Sequence, residues 1–272
     1  MSNPLLLFLD FDELAEVILE TSNFLLTHIY SERKAILFHI IEEALTSPAY
    51  ILPYLKFEFK KIKEELNKLI EKTKLEKGKI EKSLAFGDRW ANLEWFLHNL
   101  TPELAIIGYK PHLIKVPLAE KLLERLELTF LTVKEKPLVN LKKIACFFDQ
   151  SQDAIFALRL GVDWAVKTEA KILVLNLYFA KSLATTHEIN LREAIKTEIT
   201  QTIQREVSQA DKVIEDILVF KIDSLQELDR FLSEDFDVIF VGRKGETLIK
   251  GLGSFSKHML RMSEIPVCIV KG

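Results

Sequence analysis

Apolar runs and helix-spaced apolar stripes alternate along the whole chain. Leu5–Leu9 read as a strand, and Asp12 and Glu13 then open a helix with Leu14, Val17, Ile18, Phe24 and Leu25 on its apolar side. Ala35–Ile41 predict a second strand. Residues 55–75 predict a long charged helix, with Leu55, Phe59, Ile62, Leu66 and Leu69 three and four apart. Ile80–Phe86 are a third strand; Gly87-Asp88 then lead into a helix through Leu93, Phe96 and Leu97. Leu104–Ile107 form a fourth strand ending at Gly108. Residues 117–126 form a helix with Pro117 suited to its first turn, and Leu128–Val133 form a fifth strand.

The same succession then recurs. A polar stretch with a proline, residues 134–140, reads as a linker. Ile144–Phe148 form a strand ending at Asp149, and a helix follows through Ala154, Leu158, Val162 and Ala165. Lys171–Tyr178 are a strand, 189–213 a long helix and Ile217–Phe220 a third strand, with Asp223 or Ser224 capping the next helix. Val238–Val241 are the fourth strand. A glycine-rich stretch follows, then a helix carrying Phe255, Met259, Leu260 and Met262, and after Pro266 the strand Val267–Val270. Corresponding strands lie roughly 135–139 residues apart. Strands alternating with helices indicate doubly wound parallel sheets, so the expectation is two tandem five-stranded α/β domains, residues 1–136 and 137–272.

Composition narrows the function classes. The net charge is −3, and residues 1–138 carry 19 basic against 21 acidic side chains. No basic patch exists to bind nucleic acid or an anionic membrane. No apolar run reaches the roughly 18 residues of a spanning helix, and the acidic start does not read as a signal peptide. Cys146 and Cys268 fall in predicted buried strands, where a small apolar filler is expected; two scattered cysteines suit a reducing cytoplasm. The six histidines show no zinc-ligand spacing. His39 is expected to be a partnered core histidine, and Trp90, Trp95 and Trp164 to pack. No nucleophile, base or metal cage points to catalysis, so the chain does not read as an enzyme.

The glycines locate the candidate chemistry. The chain has nine, and Gly242, Gly245, Gly251 and Gly253 stand between one strand and the last helix. Glycine serves where backbone needs φ > 0 or a close approach. Ser254 stands where the helix begins, as an N-cap, and free amides at such an end suit an anion. Arg243, Lys244 and Lys250 make the loop locally positive.

This stretch resembles the C-terminal part of universal stress proteins, many of which bind ATP through G-x2-G-x9-G-[ST]. Here Gly242-Arg243-Lys244-Gly245 and Gly253-Ser254 supply the two halves, with seven residues between Gly245 and Gly253 instead of nine. The resemblance implies ATP, with or without magnesium, as ligand. It implies that Asp149 contacts the adenosine part, that the backbone at Leu177 meets adenine, and that Gly242, Arg243 and Gly245 begin the phosphate loop. Gly253, Ser254 and Ser256 would then hold phosphate oxygens at the helix start. It further implies two domains packed through their last strands as in a fused dimer, with an adenine nucleotide and a protein partner as expected partners and further homodimerisation open. Strand four would then separate strands one and five, with neighbours about 4.8 Å apart. Cys146 and Cys268 are thus expected to lie beyond disulfide reach.

Each of these residues also has a structural reading. Asp149 could cap the following helix, Leu177 belongs to the core, the glycines could make an empty tight turn, and Ser254 could be a cap alone. The first half departs further: Gly108-Tyr109-Lys110-Pro111 lacks a second glycine, and HLIKVPLAEKLL has no Gly-Ser before its helix. That half is expected not to hold a triphosphate and to serve as a packing partner. The competing expectation for the whole is an interaction module without nucleotide binding.

Overall fold

The first four strands and three helices of the first repeat form one compact unit, residues 1–108, and residues 109–272 form a second. This is a computed structural model, and it describes residues 3–9, 12–41, 48–73, 75–112, 116–178, 185–222, 236–244 and 252–272. In the first unit the order is β1 (Leu5–Phe8), α1 (Leu14–His28), β2 (Ala35–Ile41), α2 (Pro48–Lys72), β3 (Ile80–Phe86), α3 (Arg89–Asn99) and β4 (Leu104–Gly108). The strands run parallel in the order β3-β2-β1-β4. Leu5, Leu6 and Leu7 are fully buried, as a central parallel strand covered on both faces requires. One Asp12 carboxylate oxygen accepts the Leu14 amide at 3.0 Å, and Asp88 caps α3 by accepting the Ala91 amide at 2.8 Å. Asp10 lies outside the described residues. His39 Nδ1 meets the Leu9 carbonyl at 2.7 Å, the partner expected of it. Trp95 was expected to pack but is 70% exposed.

The second unit contains α4 (Leu118–Arg125), β5 (Phe130–Val133), β6 (Lys143–Phe147), α5 (Gln152–Thr168), β7 (Lys171–Tyr178) and α6 (Thr185–Glu206). It continues with α7 (Ala210–Val213), β8 (Ile214–Lys221), β9 (Val238–Gly242), α8 (Ser254–Met262) and β10 (Val267–Val270). Its strand order is β5-β10-β9-β6-β7-β8. All pairs are parallel but one: β5, the last strand of the first repeat, lies antiparallel to β10, the last strand of the second. The chain leaves β6 toward β7 on one side and returns to β9 on the other, which makes a topological switch point between β6 and β9.

Two expectations are corrected here, and a third lies outside the described residues. The helix predicted over 189–213 is α6 and α7, because Gln209 adopts a left-handed φ of 63° between them. Residues 134–140 do not join the two compact units: the stretch lies inside the second, with Lys134 and Leu138 buried and Glu135, Lys136, Val139 and Asn140 exposed. The helix that Asp223 or Ser224 would cap falls outside the described residues. The cysteines behave as expected. Both are free and buried, and each is paired in register with Phe240 from opposite sides, which puts them two strands apart.

Candidate functional site

The carboxyl ends of β6 and β9 are brought together by close packing against helix starts. Gly242 ends β9 against the first turn of α5. A Cβ there would lie 2.8 Å from the Ala154 nitrogen and 2.9 Å from the Asp153 carbonyl carbon, so only glycine permits this approach. Beyond it, the backbone of Arg243 and Lys244 is held from three sides. The Arg243 amide donates to the Val270 carbonyl of β10 at 2.7 Å. The Arg243 carbonyl accepts the Gly253 amide at 2.9 Å. The Lys244 amide donates to Asp153 Oδ2 at 2.9 Å, and the Lys244 carbonyl accepts the Ser151 hydroxyl at 3.3 Å.

Asp149 is exposed at the end of β6. It does not cap α5 directly. Its Oδ1 accepts both the amide and the hydroxyl of Ser151, at 3.1 and 2.6 Å, and Ser151 is the N-cap, accepting the Ala154 amide. Gln150, between them, is left-handed with φ 63° and accepts the Thr202 hydroxyl from α6 at 3.0 Å. Backbone held in that region by its surroundings marks a place where geometry is imposed. Among the described residues the hydrogen bonds to this carboxylate are all to Oδ1.

The remaining expected residues divide in two. Ser254 is exposed and opens α8. It is not the N-cap: Gly253 occupies that position and has no side chain with which to cap the helix. Among the described residues no side-chain cap bond from that position satisfies the first-turn amides of α8, the groups that a helix start leaves without intrahelical partners. Leu177 is half-buried near the end of β7, opposite Phe220, and so is less enclosed than a core residue. Phe147 of β6 meets Phe255 of α8 with ring centroids 4.9 Å apart, so the end carrying Asp149 and the start carrying Ser254 share one side of the sheet end. Gly245, Gly251 and Lys250 lie outside the described residues.

Arg243 and Ser256 do not face this opening as free donors. Ser256 is buried, and its hydroxyl donates to the Gly242 carbonyl at 2.7 Å. Arg243 is 3% exposed. Its guanidinium donates to the Leu126 carbonyl and, at 3.3 Å, to the Glu124 carbonyl, both at the C-terminal end of α4. Its Nε is buried without a partner, and burial lowers its pKa. The local positive charge legible in the sequence is therefore partly spent on a helix end, where a cation is favoured. The Gly253 amide, likewise expected at phosphate, is bonded to Arg243.

The far end of α8 is fixed by a charged cluster that sequence reading missed. Glu120 of α4 is 2% exposed; it accepts Arg261 Nε and Nη2 at 3.0 and 2.7 Å and the Tyr109 hydroxyl at 2.9 Å. The hydrogen bonds from Arg261 hold its carboxyl below the usual carboxylate range, while burial raises the Tyr109 pKa. Lys257 pairs with Glu124 one turn along. Lys134 is buried with Nζ 4.0 Å from the centroid of the Tyr109 ring, and donates to the Leu260 carbonyl. Desolvation pushes its pKa down to about 7, against the opposing pull of Glu120. Glu120-Glu124 and Lys257-Arg261 are both i, i+4 pairs, and that spacing was the one signal in the sequence for two facing helix stripes. Asp153, the acceptor that fixes Lys244, left no signal beyond its place in a first helical turn.

Among the described residues no group of three or more histidine, cysteine or acidic side chains could hold a metal ion, and no helix is long and apolar enough to cross a membrane.

This fold defines a class of doubly wound α/β proteins with a topological switch point at the strand carboxyl ends. Residues 140–271 match the Universal stress protein family, so this region of the chain is a domain of that family. In fold, the chain is similar to a universal stress protein from Archaeoglobus fulgidus DSM 4304, with 16% identity, TM-score 0.72, and coverage of 100% of this chain and 99% of that one. It is also similar to a putative universal stress protein from Pseudomonas aeruginosa UCBPP-PA14, with 17% identity, TM-score 0.66, and coverage of 99% and 94%. No curated protein matches the chain.

Proposed function

We propose that the chain is a non-catalytic regulatory protein whose second repeat, residues 137–272, binds ATP or another adenine nucleotide, with or without magnesium. The first repeat, residues 1–136, serves as its structural partner. The observation that carries this reading is the switch point between β6 and β9. An exposed carboxylate, Asp149, lies at the end of one strand, and a helix start with exposed Ser254 and no side-chain cap follows the other. Such a crevice suits a ligand, and uncapped first-turn amides suit its phosphates. Asp149, Ser254 and the backbone at Leu177 are the ligand-facing set. Gly242, Arg243, Gly253 and Ser256 shape the mouth of the loop; Gly245, expected at the phosphates, lies outside the described residues.

A second reading, an interaction module without nucleotide, has its own support. The Gly253 amide, the Ser256 hydroxyl and the Arg243 guanidinium are already bonded within the protein. Thermal unfolding with ATP and magnesium separates the two, using wild type and Ser254→Glu. Ligand at a hundred times its Kd stabilises wild type by about 2.7 kcal/mol. The glutamate repels phosphate and abolishes that shift while leaving the protein folded. A wild-type transition unmoved by millimolar ATP favours the second reading.

A further inference from the structure

We infer that Arg243 is a positioning residue that couples occupancy of the loop to α4 and β5, the last helix and strand of the first repeat; this rests on the nucleotide reading above. Its peptide neighbourhood is the mouth of the glycine loop, where the backbone polar groups of residues 243 and 244 all bond to β10, α5 or α8. Its side chain runs the other way, into the C-terminal end of α4, where it donates to two carbonyls. One buried residue thus spans the loop and a segment more than a hundred positions earlier in sequence.

The same segment grips α8 along its length through Glu120–Arg261, Glu124–Lys257 and Lys134–Leu260. Any ligand that orders the start of α8 and the loop mouth therefore acts on a body fastened to α4 at both ends. Arg243 is the only one of these ties, among the described residues, that sits in the loop mouth itself. Its planar fork reaches two carbonyls at once, which a lysine cannot reproduce in full. A ligand contact at Ser254 thereby becomes a change in how firmly residues 118–130 are held.

Hydrogen exchange of the full chain, with and without ATP and magnesium, tests this in wild type, Arg243→Lys and Arg243→Ala. In wild type, ATP at a hundred times its Kd slows exchange at 252–256 roughly a hundredfold. It slows exchange at 118–130 by at least roughly fivefold, the lower range of site-to-site coupling. Arg243→Ala keeps the protection at 252–256 and loses it at 118–130, and Arg243→Lys restores part of it. Should Arg243→Ala not fold, the wild-type and lysine proteins alone decide the matter. Protection at 252–256 without any at 118–130 in wild type overturns the coupling and leaves nucleotide binding standing. Equal protection at 118–130 in wild type and Arg243→Ala overturns the role of Arg243. No protection anywhere in wild type overturns the nucleotide reading, and the coupling with it.

Discussion

The ends of β4 and β9 are the same scaffold carrying different chemistry. In each, a glycine touches the start of the repeat's first helix. A Cβ on Gly108 would meet Leu14 at 2.8 Å, and one on Gly242 would meet Ala154 at 2.8 Å. In each, the next residue donates its amide to the last residue of a fifth strand, Tyr109 to Val133 at 2.8 Å and Arg243 to Val270 at 2.7 Å. In each, that residue's side chain is buried and bonded to α4. The divergence comes after this point. The first repeat proceeds through Pro111 to α4, which starts behind Pro117 with no hydroxyl. The second proceeds to Gly253 and exposed Ser254. The two ends share the geometry that positions a helix start and differ in the helix start itself, so the packing role and the proposed ligand role are separable.

The comparison can be broken at several points, and the glycines give the largest effect. Gly242→Ala forces a Cβ against backbone and is expected to cost about 2–3 kcal/mol by denaturant unfolding. Gly108→Ala meets Leu14 alone, whose Cδ1 at 2.8 Å can turn away while its Cβ at 2.9 Å moves only with α1, and should cost about 1 kcal/mol less than the two backbone contacts at Gly242. Equal costs would contradict the claim that the second site is the tighter of the two.

Next comes the anchor that α4 offers α8. Glu120→Ala strands the Tyr109 hydroxyl and frees Arg261, costing about 2 kcal/mol. Glu120→Gln, which keeps an acceptor, should cost less in the same denaturant series.

Lys134 adds a pH dependence. Its folded pKa, about 7, lies below its unfolded value of 10.5. Between those values the unfolded chain binds the extra proton, so stability rises with pH from about 7 upward, by at most about 1.4 kcal/mol per unit. Below 7 both states are protonated and the contribution is flat. Above 10 the raised Tyr109 pKa acts oppositely, because the unfolded tyrosine loses its proton first. Denaturation midpoints at pH 7 and 9 should therefore rise in wild type and not in Lys134→Met.

The smallest effect is at the helix start itself. No acidic residue stands in the first turn of α8, so Ser254→Glu should stabilise the unliganded protein by about 0.5 kcal/mol through the helix dipole. A denaturant midpoint lowered by this change would show that the Ser254 position is not the exposed helix start described.

The periodic parts of this fold were legible in the sequence. The strands at 35–41 and 171–178 fall where the apolar runs place them, because a largely buried parallel strand leaves a near-continuous signal; the strand at 80–86 was legible too, although it is an edge strand with no buried residue. What was not legible depended on partners distant in the chain. KEKPLVN looks like a tether by composition, yet Lys134 and Leu138 are buried there. Arg243 looks like a phosphate ligand by its neighbours, yet its guanidinium finds backbone carbonyls of α4, which no pattern of side chains reveals. The break at Gln209 has no glycine or proline to announce it. The sequence places the cap one position late, at Ser254, since Gly253 serves that role without a side chain to advertise it.

The central claim is that one repeat, and only one, retains a nucleotide site. Native mass spectrometry of the full chain titrated with ATP and magnesium tests it most directly. The expected result is a single nucleotide per chain, lost in Ser254→Glu and kept when Tyr109 is changed to Phe. Two nucleotides per chain, or none at saturating ATP, would contradict it.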